Sequence, residues 1–410
     1  MSIGGKRIST TTQIFAAMIL GSIAGIIFGE QMGAFKFIGD LWVSCIKMII
    51  VPLIMCIMVL AIGSQSNMKS LGHVAFRIVV YYLCVTSAAA VVGITVSSII
   101  KPGVGLDLGT LEKVDAVGQG FSLAGFLSGM ISDNIFATFT KGNLMQAMVI
   151  AIFFGIAIVN IKNEKSRETV LSWFQSFQDM ITTYIGGVIK LAPVGIFFLM
   201  ADCLGKYGVV ILGSLGKFLG AFYISVLVQA LVVYCGTVFI FARISPLRFL
   251  KDTSEIWLFA GSTGSSAATL PISLRVAKEK FGIPDRISNF CLTLGSNVNQ
   301  DGTTLVLTAV IMLVAQVNGI VYDIPTLVQL VAVSVLVSCS GAGIPGNIIV
   351  KMMIVAETIG LPLDIIAVVA GIYKLIERGS TACNCLSDFA GTVCIGSLEM
   401  RKEAKAGAKG

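Results

Sequence analysis

Charge is scarce in this chain of 410 residues. Asp, Glu, Lys and Arg together make 12% of it, where a soluble globular protein carries roughly 25%. That shortfall excludes an ordinary soluble enzyme. Histidine is nearly absent: His73 stands alone, in what reads as a polar loop, so a triad needing a histidine base is excluded away from that loop. No disulfide or zinc spacing is implied by the cysteines. They sit mostly inside apolar runs, as at Cys45, Cys56, Cys84 and Cys235, where they read as small hydrophobes. Cys383 and Cys385 flank Asn384, but side chains two apart on a helix point in different directions, which argues against a shared metal. A basic stripe is also missing. The formal charge of +7 comes from short clusters between apolar segments, so no nucleic-acid partner is expected.

What is abundant is apolar surface. Hydrophobic residues make 56% of the chain, and the runs recur without a polar block large enough for a soluble domain. Stretches able to cross about 30 Å of hydrocarbon fall at 12–28, 41–62, 76–100, 143–161, 181–204 and 209–242. The first lacks a convincing cleavage site and reads as a retained helix rather than a secretory signal. Most of the Lys and Arg collect on one side when the spans alternate: Lys6 and Arg7, Lys69 and Arg77, Lys162 to Arg167, Arg243 to Lys251, Arg275 to Arg286, and the tail from Arg401. By the positive-inside rule both termini are then cytoplasmic.

That alternation works only if the segment between Arg248/Lys251 and Arg275/Lys278 enters and leaves on one side, as a re-entrant hairpin over about 250–281. Its centre, Gly261 to Pro271, is too polar and too rich in helix breakers to face lipid. A second segment, about 324–356, breaks at Ser338 to Gly346 and lies between Asp323 and Glu357 without a basic cluster, so it should dip in from the outer face. Ser266 to Pro271 and Ser340 to Pro345 echo one another as S-[AG]-A-[TG]-[LI]-P. Paired interrupted segments of this kind point to inverted repeats with a binding site at their interface.

Between the hairpins, over 286–316, the run Asn297-Val298-Asn299-Gln300-Asp301-Gly302-Thr303-Thr304 interrupts an apolar helix and should unwind it. Freed carbonyls plus a carboxylate form an oxygen-only site, suited to a hard cation such as Na⁺. A helix–helix hydrogen-bond cluster is the bland alternative. The last span, about 362–397, carries Glu377, Ser380, Thr381, Asn384, Ser387 and Asp388 on one face. Glu377 or Asp388 could pair with Lys374 or Arg378 in a purely structural role. Asp388 has no basic residue one turn away, which calls for a cation from elsewhere, Na⁺ or a substrate ammonium.

These residues resemble the dicarboxylate/amino acid:cation symporter family, the glutamate-transporter fold. The resemblance covers nearly the whole chain and is carried by S-S-A-A-T-L-P at 265–271, N-Q-D-G-T at 299–303, G-A-G-I-P-G at 341–346 and the final-helix pattern through Asn384 and Asp388. It implies an all-α polytopic membrane protein with eight transmembrane helices, two re-entrant helical hairpins, inverted repeats and an elevator mechanism, assembled as a homotrimer in the cell (plasma/inner) membrane. Residues 1–75 and 143–208 would form the scaffold; 76–142 and 209–410 would form the transport domain. The implied substrate set is Ser265, Ser266, Ala267, Thr303, Ala342, Gly343, Glu377, Ser380, Thr381, Asn384 and Asp388, with Asn384 on the α-carboxylate and Asp388 on the α-amino group. One implied Na⁺ uses Asp388 with carbonyls of Gly295, Asn299 and Asn384. Another uses Asp301 and Asn299 with Tyr82 and Thr86, and a third the carbonyls of Asn297, Ser338, Cys339 and Gly341. No organic cofactor is implied.

Departures from the family pattern shape the expectation. Ser380 stands where carriers of acidic amino acids place an arginine, so a second carboxylate loses its cationic fork, at a cost of ~3 kcal/mol or more. The expected activity is therefore sodium-coupled import of a small neutral L-amino acid such as serine, alanine or threonine. The alternatives are an acidic amino acid or dicarboxylate carrier, which Arg378 keeps open, and an anion channel on the same scaffold. Gln300 replaces the methionine of N-M-D-G-T, and Val85 a sodium-holding threonine, leaving two or three ions per protomer. Leu307 replaces a proton-carrying glutamate. An enzyme is not expected, because no nucleophile–base pair is present.

Overall fold

Why these residues form helices follows from the runs themselves: long apolar stretches have no water to satisfy their backbone, so each N–H and C=O must pair within its own segment. The computed structural model describes residues 2–3, 6–7, 10–63, 68–105, 131–141, 144–208, 210–339, 347–359, 361, 366, 369–370 and 372–407. Among these the regular elements are helices joined by short turns, apart from a two-residue antiparallel pair of Ser2–Ile3 with Lys6–Arg7. Four helices among the described residues are long and apolar enough to cross a membrane, or five if one bent pair is counted as a single span.

Two of the expected single spans are broken. The 41–62 run forms Lys36–Lys47 and Ile50–Gly63, where Pro52 lacks the N–H that would continue the ladder back to Met48. The 181–204 run is shared between Glu164–Lys190 and Ala192–Tyr207, which meet at 53° where Pro193 opens the second helix. The helix Met68–Ile100 begins earlier than expected and takes in His73, which is exposed on a helix rather than in a loop. Its first turns are held by Arg77, whose guanidinium meets Glu399 of the last helix at 2.5 Å.

Packing follows two groups. Thr10–Phe28, Lys36–Lys47 and Ile50–Gly63 lie against Leu144–Val159, Glu164–Lys190 and Ala192–Tyr207. Met68–Ile100 instead lies against Val210–Val228, the helix Asp301–Val317 and the long final helix Tyr373–Gly407. Val210–Val228 continues through two wide turns, Gln229–Tyr234 and Val238–Ala242. Its C-terminal carbonyls, those of Phe241 and Ala242, accept from the Arg401 guanidinium at 2.9 and 2.8 Å. A cation thus sits on the negative end of a helix, and the basic tail is helical to Gly407. Tyr82, Phe218, Tyr234 and Phe389 are fully buried in the core, while Ile27, Phe153, Leu231 and Ile240 face outward. So much exposed apolar surface belongs in lipid.

Both hairpins form. The first has arms Ser254–Thr263 and Ser266–Phe281; the second has arms Ile324–Ser338 and Asn347–Thr358. The second tip, with Gly341, Ala342 and Gly343, lies outside the described residues, as do parts of the stretch before Tyr373.

Candidate cation and substrate site

The expected unwinding lies at Asn299 and Gln300, which leave helical geometry between Asp285–Val298 and Asp301–Val317. Asp301 opens the second half-helix and Gly302 follows, so the carboxylate faces the positive end of a helix. The orphan N–H of Gly302 donates to Asn384 Oδ1 of the final helix at 2.7 Å, a cap supplied from another segment. Only glycine permits this approach. A Cβ at 302 would stand 2.3 Å from the Ser380 carbonyl oxygen and 2.7 Å from its Cα.

Asp301 is fully buried and surrounded by donors. Thr86 Oγ1 donates to its Oδ1 at 2.7 Å and stands 3.2 Å from Asn299 Oδ1. Its Oδ2 accepts from Ser387 Oγ at 2.6 Å, Tyr234 OH at 2.9 Å and, at 3.5 Å, Gln229 Nε2. Asn299 joins this carboxylate to the next one: its Nδ2 donates to Ser387 Oγ at 2.8 Å and to Asp388 Oδ1 at 2.9 Å. Asp388 is itself buried. Gly295 lies beside it, since a Cβ there would come within 2.7 Å of Asp388 Oδ1 and 2.6 Å of the Tyr82 hydroxyl.

Asp301 Oδ1, Asn299 Oδ1 and Thr86 Oγ1 converge, and Gln229 Oε1 is buried close by without a hydrogen-bond partner among the described residues. An oxygen-only donor set with one formal charge and an orphaned acceptor fits a hard cation such as Na⁺. The donors around Asp301 are all neutral, so its lone pairs are satisfied while its charge is not cancelled.

The remaining expected residues fall into place unevenly. Tyr82 turns its hydroxyl to the Cys291 carbonyl at 2.9 Å, and the tyrosine on Asp301 is Tyr234. Tyr82 faces Gly295 and Asp388 because it lies one helical turn before Thr86, beside the first half of the broken helix. Asn384, expected on a substrate carboxylate, spends its amide here: Nδ2 donates to Gln300 Oε1 at 2.9 Å. The same Gln300 oxygen accepts from Thr303 Oγ1 at 3.2 Å, and Thr303 lies 3.4 Å from Ser380 Oγ. Thr381 donates back to the Glu377 carbonyl, and the Glu377 carboxylate pairs with Lys374 at 2.5 Å. That is the structural ion pair left open for Glu377; Asp388 takes no part in it.

Ser265 caps the second arm of the first hairpin, its Oγ accepting from Ala268 N at 3.2 Å, after Gly264 turns the chain in the left-handed region at φ 65°. Ser266 opens that arm, Thr269 Oγ1 donates back to the Ser265 carbonyl at 2.8 Å, and Ala267 is exposed at the tip. Asn297 is in the last turn before the break. Ser338 and Cys339 end the first arm of the second hairpin, where the Ser338 carbonyl accepts from Lys351 Nζ at 2.8 Å. Tyr234 and Gln229 were not legible as site residues. They lie in a wide turn of an otherwise apolar helix, and the only sequence signal is a lone glutamine in a membrane-length run.

A family model described as the sodium:dicarboxylate symporter family matches residues 10–398. Among similar proteins, the proton/sodium-glutamate symport protein of Geobacillus stearothermophilus is 29% identical over 405 residues, covering 96% of this chain and 95% of that one. The protein of the same name from Bacillus subtilis (strain 168) is 30% identical over 416 residues, covering 98% and 96%. The C4-dicarboxylate transport protein of Bacillus subtilis (strain 168) is 28% identical over 402 residues, covering 95% and 93%.

Proposed function

The chain belongs to the sodium:dicarboxylate symporter family, a family of membrane transporters and not of enzymes, and from that premise we propose that it imports a small neutral L-amino acid together with Na⁺. The observation that carries the reading is the Asn299 amide, hydrogen-bonded to Asp388 and within 3.2 Å of the Thr86 hydroxyl on Asp301. One side chain thus touches the surroundings of both buried carboxylates. Sodium at Asp301 draws the Thr86 and Asn299 oxygens toward itself, which sets the amide that positions Asp388. Asp388 then receives the substrate ammonium. Coupling of this kind is reciprocal and worth about 1–3 kcal/mol.

Ser380 supports the neutral side chain: its hydroxyl lies against Thr303, and the cation nearest in sequence on the buried side, Lys374, is engaged by Glu377. The names of the relatives, glutamate and C4-dicarboxylate carriers, together with the exposed Arg378 two residues before Ser380, favour a second reading as an acidic-substrate carrier. The separate packing of 10–63 with 144–207, and of 68–100 with the segments from 210 onward, supports a scaffold (1–75, 143–208) and a moving transport domain (76–142, 209–410) working as an elevator. Eight spans, cytoplasmic termini, a homotrimer and a plasma-membrane location complete the proposal.

The test is a set of binding isotherms for serine, alanine, threonine, aspartate, glutamate and succinate in NaCl and in choline chloride. Sodium-dependent binding of the neutral amino acids, at least tenfold tighter than of the acidic ones, is expected. Preference for aspartate or succinate would transfer the assignment to the second reading. Ser380→Arg should gain aspartate affinity and lose that for neutral substrates; an unchanged preference would remove Ser380 from the side-chain pocket.

A further inference from the structure

Lys351 lies in the second arm of the second hairpin and is 2% exposed. A lysine is rarely so deeply buried without a counter-charge. Among the described residues no carboxylate pairs with it. Its Nζ donates to the main-chain carbonyl of Ser338 at 2.8 Å, thirteen residues back, across the hairpin and at the last residue of the first arm. The last-turn carbonyls of a helix have no partners within it, and the aligned peptide dipoles make that end electronegative. A helix ending inside a transporter is therefore a cation position, and here the cation is part of the chain.

The Ser338 carbonyl belongs, with that of Cys339, to the set that the family resemblance implies for a third Na⁺. It does not fit that role here. An ammonium at hydrogen-bonding distance takes the oxygen that the ion needs, and a second cation beside it would be repelled. Gln300 and Val85, which depart from the family pattern around the other ions, leave the Asp301 cluster of oxygens intact, so the disagreement is confined to the second hairpin.

We propose that the Lys351 ammonium is a tethered cation at the end of the first hairpin arm, standing in for one sodium ion, so that this carrier couples one Na⁺ fewer to each substrate than the same fold without the lysine. The proposal rests on the sodium-coupled reading above. Its consequence is energetic: each Na⁺ omitted removes one charge from the inward driving force and lowers the accumulation that a given membrane potential sustains.

The experiment uses the full-length protein in detergent, with substrate present, and titrates NaCl against choline chloride at constant ionic strength, following the thermal unfolding midpoint and tryptophan fluorescence. Lys351→Met keeps the volume and removes the charge. It should raise the Hill slope for sodium by about one and enlarge the sodium-dependent shift in midpoint, while Lys351→Arg stays with the wild type. If Lys351→Met and wild type share the same nonzero slope, the tethered cation is overturned and sodium coupling stands. If the wild type ignores sodium and Lys351→Met gains a response, sodium coupling of the native protein falls and the tethered cation stands. If neither responds, both fall. Should Lys351→Met not fold, the wild type decides: reversal potentials in proteoliposomes giving three sodium ions per substrate overturn the proposal, and a smaller ratio supports it.

Discussion

Gln300→Met is the substitution whose outcome the geometry fixes most closely. Gln300 Oε1 holds the Asn384 amide at 2.9 Å and the Thr303 hydroxyl at 3.2 Å, both in a buried setting. Methionine is unbranched and similar in length, so packing changes little, but both donors lose their acceptor. Leaving a buried donor unpaired costs about 1–3 kcal/mol, and the substrate-free protein should be less stable by that amount. Binding should move the other way. In the wild type a substrate carboxylate must displace Gln300 from Asn384, giving up a hydrogen bond worth about 0.5–1.5 kcal/mol net. Without that competitor the affinity should rise about two- to tenfold, since each 1.4 kcal/mol is tenfold. The assay is an isotherm for the preferred amino acid in saturating NaCl, beside thermal unfolding with and without substrate. At one saturating substrate concentration both proteins are stabilised, the variant more by RT ln of its affinity gain, so the gap to the wild type should narrow by about 0.4–1.4 kcal/mol. A folded Gln300→Met protein that binds substrate equally or more weakly would refute the assignment of Asn384 to the carboxylate.

Gly302→Ala should destabilise the protein by about 1–3 kcal/mol in thermal unfolding, although alanine is the better helix former, because its Cβ meets the Ser380 backbone at 2.3 Å; a stability equal to the wild type would mean the helices separate freely. Tyr234→Phe removes a charge-assisted bond to Asp301 and should cost about 1.5–3 kcal/mol in choline chloride but less in NaCl, where the cation compensates. Equal losses in the two salts would detach Asp301 from sodium. The Asp323 carboxylate is held below its ordinary value by the Thr326 N–H and side chain. A depressed value contributes stability above the unfolded pKa and loses it as pH falls through the folded one. Protection from hydrogen exchange at the start of the second hairpin, taken relative to the intrinsic rate at each pH, should therefore fall below pH 3.8 in the wild type and change less with pH in Asp323→Asn, which keeps the capping oxygen.

Much of this architecture is written locally. The break at Asn299 and Gln300 is legible because amides and a glycine next to an aspartate cannot be left as straight helix in an apolar run. The first hairpin turn is legible because Gly264 and Ser265 supply, in order, a left-handed stop and a capping oxygen. The stripe on the final helix is legible from its period, and Asn384, Ser387 and Asp388 do meet the broken helix. Partnership across the fold is what periodicity does not encode. Nothing in the local sequence says that Tyr234 rather than Tyr82 faces Asp301, because wide turns at Gln229–Tyr234 shift the face that the helix presents. Lys351 likewise reads as one more lysine in an apolar segment until the hairpin folds it onto the Ser338 carbonyl.

The polar groups divide by what they satisfy. Thr86, Ser387, Tyr234 and Gln229 supply Asp301 with hydrogen bonds but no charge. Glu377 has a cation of its own in Lys374. A carrier whose two central carboxylates were neutralised by fixed lysines or arginines would have no use for an ion, and its fields would be the same loaded or empty. One whose carboxylates lacked donors would become protonated instead of binding sodium, because an unsolvated carboxylate in apolar surroundings surrenders its charge. Neutral donors stand between these two cases: they satisfy the lone pairs of Asp301 and leave any charge on it to be met by something that comes and goes. On the proposed reading the Asn299 amide, bonded to Asp388, relays the state of that site, while the Lys351 ammonium stands apart from this relay, on the Ser338 carbonyl of the second hairpin.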